Sequence, residues 1–157
     1  MASLPNARRK KKTALKSTSS KKSVAGTYTV PRGHVSLAVP PFWTLRQTNE
    51  DIEVEAPSGS TSVIVTAFQR KGVKTLDARE YLAHFLETVP ANGSLKHAPG
   101  KRTRASAKYK DPDGDYWNVA FIANTNTLLL ATCNSSMPTR HREAKTGISV
   151  LESVRLK

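Results

Sequence analysis

The chain has 157 residues, the size of one ordinary domain, and 38% of them are hydrophobic, enough for a core but low for a fully folded chain. Its 25 lysines and arginines outnumber 12 aspartates and glutamates, giving a formal net charge of +13 at pH 7. A single cysteine excludes a disulfide framework and any multi-cysteine zinc site, and no apolar run approaches the roughly 20 residues of a membrane span.

Positive charge is concentrated in the first 26 residues. They contain no acidic residue, and the first carboxylate in the chain belongs to Glu50. The basic residues of this segment are Arg8, Arg9, Lys10, Lys11, Lys12, Lys16, Lys21 and Lys22. A segment with so few large apolar residues cannot offset the entropy lost on ordering. We therefore predict a basic disordered tail over residues 1–26 and a folded domain over residues 27–157.

Three functions fit such a tail: a solvated arm, an arm that docks on an acidic partner, or an organellar transit peptide. The first two have equal support from charge alone. The transit peptide ranks behind them, because residues 8–12 make a poor amphipathic helix, and a secretory signal is excluded because no apolar segment follows the charges. We expect an intracellular protein of the cytoplasm or nucleus in preference to an organellar one, and not a secreted one.

The first part of the domain has the patterns of β-strands. Alternating apolar residues at 35, 37 and 39 predict one strand, Pro40-Pro41 interrupts it, and residues 42–45 resume as a short extended segment. Residues 52–56 predict a strand with one solvated face, and residues 57–60 a turn. Residues 63–68 are apolar or β-branched on both faces, which predicts a central strand.

A helix follows over residues 75–89, where apolar residues recur at helical spacing. Thr75 is the predicted N-cap, and Pro90 and Gly93 end the helix. Residues 94–101 then predict a loop.

The last part of the domain alternates strands and turns before a second helix. Residues 104–110 predict an exposed strand, Asp111-Pro112-Asp113-Gly114 a tight turn, and residues 117–123 a strand whose odd-numbered residues face the core. Residues 128–133 predict a buried antiparallel strand, and residues 144–151 a helix that Gly147 weakens. The fold class is therefore α+β, an antiparallel β-sheet flanked by helices.

No motif assembles a recognisable active site. Asp111, Asp113 and Asp115 resemble the start of a calcium loop, but Tyr116 and Ile122 occupy the positions where an EF-hand needs Gly and Glu. The histidines lack metal-ligand spacing, and Cys133 lies in an apolar strand that predicts a buried, inert thiol. We predict no catalytic residue, no cofactor and no metal.

One group of residues combines aromatic rings with positive charge: Lys108, Tyr109, Lys110 and Tyr116. The simplest interpretation is an ordinary exposed hairpin. Contact with nucleic acid is the alternative.

Residues 34–43 (HVSLAVPPFW) resemble the opening strand, proline and tryptophan of PsbP-like domains. This superfamily is shared with a Ran-binding nuclear import factor and bacterial DcrB-related proteins. Further matches are the helix at 75–89, the hairpin at 113–117 and the closing segment 148–154, so the resemblance spans about residues 27–157. It implies an α/β/α sandwich and a non-catalytic role as adaptor, assembly factor or subunit, although the chain lacks the lumenal targeting signal of typical members.

We expect a non-enzymatic adaptor, assembly factor or structural subunit that docks on a protein or large complex with an acidic surface through its basic tail. The alternative is a nucleic-acid-associated protein in which the tail contacts phosphates. An enzyme would instead require a deep pocket lined by convergent polar groups on the open face of the sheet. The oligomeric state stays open.

Overall fold

The computed structural model describes residues 15–19, 22, 24–30, 33–70, 72, 74–90, 95–97 and 100–157. Within those residues it contains two helices and eleven strands. In chain order they are β1 (Leu15–Ser19), β2 (Val24–Val30), β3 (Gly33–Val39), β4 (Thr44–Gln47), β5 (Asp51–Glu55), β6 (Thr61–Gln69), α1 (Ala78–Thr88), β7 (Lys96–His97), β8 (Arg104–Lys110), β9 (Tyr116–Ala123), β10 (Thr127–Ser135), α2 (Arg142–Ser153) and β11 (Arg155–Leu156).

In the described part of the chain, eight strands form one antiparallel sheet in the order β1-β4-β5-β6-β10-β9-β8-β7. Strand β10 lies near its centre and pairs along its length with β6 on one side and β9 on the other. The predicted α+β class with an antiparallel sheet is confirmed, as is the central position of β6.

Strands β8 and β9 are joined by the tight turn that the Asp-Pro-Asp-Gly sequence predicts. The backbone N–H of Gly114 donates to the carbonyl oxygen of Asp111 at 3.1 Å. Gly114 has φ +91°, a left-handed conformation that costs glycine little because it has no Cβ. The turn thus fixes a register that runs from Arg104 opposite Ile122 to Lys110 opposite Tyr116.

The two helices pack on opposite faces of the large sheet. Val119, Phe121 and Ala123 of β9 join the apolar cluster beneath α1. Ala120 and Ile122 join the cluster that contains α2. Because side chains alternate between faces along a strand, β9 has both faces buried, whereas the sequence pattern predicted only one inward face.

A second, three-stranded sheet in the order β11-β3-β2 covers the same face as α2. The buried side chains of Val35, Leu37 and Val39 on β3 pack in one cluster with Val150 and Leu151 of α2. The predicted strand at 35–39 is therefore confirmed.

Helix α1 begins later than predicted. Its N-cap is Asp77, whose side chain accepts a hydrogen bond from the backbone N–H of Arg79 at 3.0 Å, and Thr75 lies outside the helix. A carboxylate at the N-cap also stabilises the positive end of the helix dipole, which a threonine hydroxyl does less well.

The predicted loop at 94–101 and the predicted extended segment at 42–45 also differ from the structure. Lys96 and His97, within the predicted loop at 94–101, form strand β7 against β8. Phe42 has φ +67° and lies in the turn after Pro41, so β4 begins only at Thr44. The cause in the second case is the backbone, since a left-handed residue cannot continue a strand.

Apart from Lys22, the described residues of the predicted tail lie in strands. Strand β1 pairs with β4, and β2 runs from Val24 to Val30 against β3, so the predicted boundary at residue 26 falls inside β2. Strand pairing satisfies backbone N–H and carbonyl groups and does not need large apolar side chains, which is why composition did not reveal it. Residues 1–14 lie outside the described residues.

Gly147 is a packing requirement of α2, in contrast to the weakening expected from helix propensity. A Cβ at this position would lie 2.6 Å from Cγ2 of Thr61 and 2.8 Å from Sγ of Cys133. Both distances are shorter than real Cβ contacts, so only glycine lets the helix approach the sheet this closely.

We predict that Gly147→Ala destabilises the protein by about 1–3 kcal/mol, because the cost of overpacking exceeds the gain in helix propensity. Urea unfolding monitored by circular dichroism measures the change. Ser149→Ala is the matched control on the exposed side of α2 and should change the free energy of unfolding by less than about 0.5 kcal/mol. Equal or greater stability of the Gly147 variant would contradict the prediction.

Candidate functional site

Of the eight basic residues assigned to the tail, the structure describes two. Lys16 lies in β1 where the pairing with β4 becomes irregular between Leu15 and Ser17, and Lys22 is exposed between β1 and β2. The other six, Arg8, Arg9, Lys10, Lys11, Lys12 and Lys21, lie outside the described residues.

The aromatic and basic residues of the β8–β9 hairpin divide between two faces. Tyr109 is buried and stacks on Trp117 with ring centroids 6.1 Å apart, and burial raises the pKa of its hydroxyl. Lys110 Nζ lies 5.1 Å from the ring centroid of Tyr116 on the other face. The predicted exposed strand is thus half-buried, and one of the two tyrosines is unavailable for stacking on a base.

The carboxylate of Asp111 accepts hydrogen bonds from within the β8–β9 hairpin. Its Oδ2 accepts a hydrogen bond from Nε1 of Trp117 at 2.8 Å, and its Oδ1 accepts one from the backbone N–H of Asp115 at 2.9 Å. The Trp117 hydrogen bond is the main cause that lowers the pKa of Asp111. This carboxylate, the first of the Asp-x-Asp-x-Asp pattern, therefore has a structural role in the turn.

The lone thiol is buried, as predicted. Burial raises the pKa of Cys133 to about 12, so the reactive thiolate is scarce at neutral pH. The thiol also faces Gly147 of α2, which leaves it no route to solvent on that side.

A hydroxyl-rich cluster joins the β5–β6 turn to the start of α2. The hydroxyls of Ser58 and Ser60 both donate to Oε2 of Glu143, the latter at 2.9 Å, and the Ser58 hydrogen bond chiefly lowers the pKa of Glu143. His141 Nδ1 accepts from the backbone N–H of Glu143 and caps α2. No described hydrogen bond joins a serine to the imidazole, and the two serine hydroxyls fasten the β5–β6 turn to the start of α2 through Glu143.

A cleft of about 620 Å³ lies between the β7–β8 edge of the large sheet and the C-terminal half of α2. We call it the basic cleft. Its lining residues are Lys96, His97, Arg104, Ser106, Ala107, Lys108, Asn118, Val119, Thr139, Ile148, Leu151 and Glu152.

Arg104 joins the floor of the basic cleft to the end of α2. Its Nη1 donates to the carbonyl oxygen of Val154 at 2.9 Å and its Nη2 to that of Leu151 at 3.1 Å. These carbonyls end the helix, where a cation interacts favourably with the helix dipole. Burial, followed by the nearby charge of Arg155, lowers the pKa of Arg104.

Strand register places two lysines of the basic cleft side by side. Lys96 of β7 lies directly opposite Lys108 of β8, and Lys108 lies opposite Asn118 of β9. Directly opposed residues project to the same face with Cβ atoms about 4.5–5.5 Å apart. The sequence shows the alternation of Arg104, Ser106 and Lys108 but not the pairing with Lys96, which depends on strand β7.

No protein-family model matches the chain, and no curated protein matches its sequence. Within the residues described, no helix is long and apolar enough to cross a membrane, and no group of three or more His, Cys, Asp or Glu side chains is placed to hold a metal ion. Function must therefore be inferred from the chain's own geometry and charge.

We predict that Asp111→Asn lowers stability at pH 7 and that the difference from the unsubstituted protein disappears in acid. The folded-state pKa of Asp111 is lowered, so its carboxylate stabilises the fold above the unfolded value near 4, and this stabilisation is lost as pH falls through the folded value. Urea unfolding followed by tryptophan fluorescence at pH 7 and at pH 2–3 tests this. Asp113→Asn, an exposed residue of the same turn, is the control. A difference that does not depend on pH would contradict the assignment.

We predict that Cys133 in the folded protein barely reacts with a thiol reagent at pH 8. With a pKa of about 12, about one thiol in 10,000 is ionised at that pH, and burial blocks access to it. Labelling with iodoacetamide, quantified by mass spectrometry, should go to completion only after urea unfolding. Complete labelling of the folded protein within minutes would show an accessible, activated thiol.

Proposed function

We propose that this protein is a non-enzymatic adaptor, assembly factor or structural subunit of a larger complex, and that its basic N-terminal segment docks on an acidic partner surface. The observation that supports the proposal most strongly is the charge distribution. Residues 1–26 carry eight basic residues and no acidic one, whereas residues 27–157 carry 17 basic and 12 acidic residues.

The position of β1 supports a docking role. Strand β1 pairs with β4 at one end of the large sheet, which places Leu15, the first described residue, at the sheet edge. A cationic segment attached to a folded domain raises the association rate with a negatively charged surface, and the domain then fixes the orientation of the complex.

The resemblance to PsbP-like domains is part of this proposal. An α/β/α sandwich of that type would place helices on both faces of an antiparallel sheet, and α1 and α2 do lie on opposite faces. Adaptor and subunit roles suit a fold whose sheet keeps part of one face open. Beyond α1 that open face includes Arg46 of β4, which pairs with Glu55 at 2.8 Å, and the half-exposed Ile64 of β6.

Catalysis is not proposed, although the basic cleft is concave and partly polar. Its lining includes Ser106 and His97, and in the described part of the chain no hydrogen bond joins them. The hydroxyls of Thr61 and Ser135, 2.8 Å apart, are buried, and among the described hydrogen bonds none joins either of them directly to a histidine or a carboxylate. None of these groups has, among the described contacts, the activating neighbour that a nucleophile requires.

A nucleic acid is the alternative partner. Lys110 and the ring of Tyr116 lie together on one face of the β8–β9 hairpin and would supplement phosphate contacts made by the tail. If all eight tail charges contacted duplex phosphates, the slope of log affinity against log salt would approach about −7.

We predict that replacing residues 8–12 by glutamine (R8Q/R9Q/K10Q/K11Q/K12Q) removes most partner binding, because it removes five charges and leaves β1 and β2 intact. Deleting residues 1–26 is a poorer test, since it also removes β1 and the Val24–Gly26 part of β2. Affinity purification of both full-length chains at several salt concentrations, with mass spectrometry of the captured proteins, measures the effect.

The control for this experiment removes the same number of charges from the folded domain. Lys74, Arg102, Arg140, Lys145 and Lys157 are exposed and can be changed to glutamine together. Capture that depends equally on both sets of charges, or on neither, would contradict docking through the tail. Fluorescence anisotropy with a 24-base-pair duplex distinguishes the alternative, because only a nucleic-acid-binding chain shows tail-dependent affinity for it.

A further inference from the structure

We propose that the basic cleft binds a small organic anion, a carboxylate or phosphate monoester with an apolar body, whose charged group lies between Lys96 and Lys108. This site belongs to the folded domain and is separate from the tail in the proposed function. The argument rests on the charge, the shape and the apolar wall of the cleft.

The charge argument begins with the opposition of Lys96 and Lys108 across β7 and β8. Like charges at directly opposed positions of an antiparallel pair destabilise the sheet, and both side chains are exposed without an ion pair among the described residues. An anion between the two ammonium groups would convert this repulsion into two charge-assisted hydrogen bonds.

Neutral hydrogen-bonding groups surround this pair. Asn118 lies opposite Lys108 on β9 and Ser106 lies two residues from Lys108 on the same face of β8. An amide and a hydroxyl in these positions add donors for carboxylate or phosphate oxygens. Such a set, two cations with two neutral polar groups, is typical of sites that orient a small anion.

The opposite wall of the basic cleft is apolar. Ile148 is half-buried and Leu151 is buried, and both come from α2, whose position Arg104 fixes through its bonds to the last helix carbonyls. An inorganic ion would leave the accessible part of Ile148 in water. A ligand with an aryl or alkyl body would cover it and gain free energy from apolar burial.

Glu152 makes the electrostatic potential differ between the two ends of the basic cleft. It is the one carboxylate in the lining, it is exposed, and its charge acts on Arg104 near the end of α2. The positive potential is therefore strongest at the Lys96–Lys108 end, which assigns the charged group of the ligand to that end and its apolar body to the α2 side.

The probe for this proposal is phenyl phosphate, compared with inorganic phosphate. Amide chemical shifts of the ¹⁵N-labelled full chain map the site, and isothermal titration calorimetry at low ionic strength gives the affinity. We expect phenyl phosphate to shift amides of β7, β8 and the C-terminal half of α2. It should bind roughly tenfold more tightly than inorganic phosphate, because only the ester covers the apolar wall.

Single substitutions separate the site from general charge effects. Lys96→Gln and Lys108→Gln should each weaken phenyl phosphate binding by roughly tenfold or more, since each removes a charged hydrogen bond. Lys74→Gln removes an exposed charge near the start of α1, outside the cleft, and should leave the affinity unchanged. The R8Q/R9Q/K10Q/K11Q/K12Q chain should also bind phenyl phosphate with unchanged affinity, which keeps this test independent of tail docking.

Thermal stability gives a second measurement, because Lys108→Gln should weaken ligand binding but stabilise the ligand-free protein. Without ligand at low salt, Lys108→Gln should raise the melting temperature, because it removes the repulsion with Lys96. Phenyl phosphate should raise the melting temperature of the unsubstituted chain and not that of the variant. Shifts confined to residues outside the cleft, equal binding by the lysine variants, or equal affinity for phosphate and its phenyl ester would each overturn the proposal.

Discussion

The close approach of α2 to the central strands is the constraint on which the rest of the structure depends. At Gly147 the helix backbone comes so near to Thr61 of β6 and Cys133 of β10 that no other side chain fits. This contact sets the distance between α2 and the large sheet. The positions of the hydroxyl-rich cluster at one end of α2 and of the basic cleft at the other depend on this distance.

The two ends of α2 are held by polar groups of opposite charge. Glu143 in the first turn accepts hydrogen bonds from the β5–β6 turn, and the Arg104 guanidinium donates to the final carbonyls. An anion at the start and a cation at the end both complement the helix dipole. These contacts fix the position of α2 along its own axis, and Gly147 fixes its distance from the sheet. Ile148 and Leu151 are thereby held facing the β7–β8 edge.

Local patterns were sufficient to predict most of the fold. Alternation at residues 35–39 and 104–110 and the turn chemistry at Gly114 gave the strands and a hairpin, because each depends on a few neighbouring residues. The N-cap of α1 and strand β7 were missed. The N-cap depends on which residue first adopts helical backbone angles. A two-residue strand has too few side chains to show a period.

The candidate site was harder to predict than the fold. Lys96 and Lys108 are twelve positions apart, and only the register between β7 and β8 brings them together. The same limitation applies to Ser58 and Glu143, 85 positions apart, which meet through tertiary packing. Composition located the positive charge of residues 1–26 correctly but gave no indication that β1 and β2 use their backbones to extend two sheets.

Strand β2 gives the N-terminal segment a protective role as well. Its pairing with β3 extends from Val24 opposite Val39 to Val30 opposite Gly33, and β1 in turn covers one side of β4. Proteolysis after residue 26 would strip hydrogen-bonding partners from both sheets at once. Unpaired strand edges form hydrogen bonds with strands of other chains, so the cleaved protein would tend to self-associate.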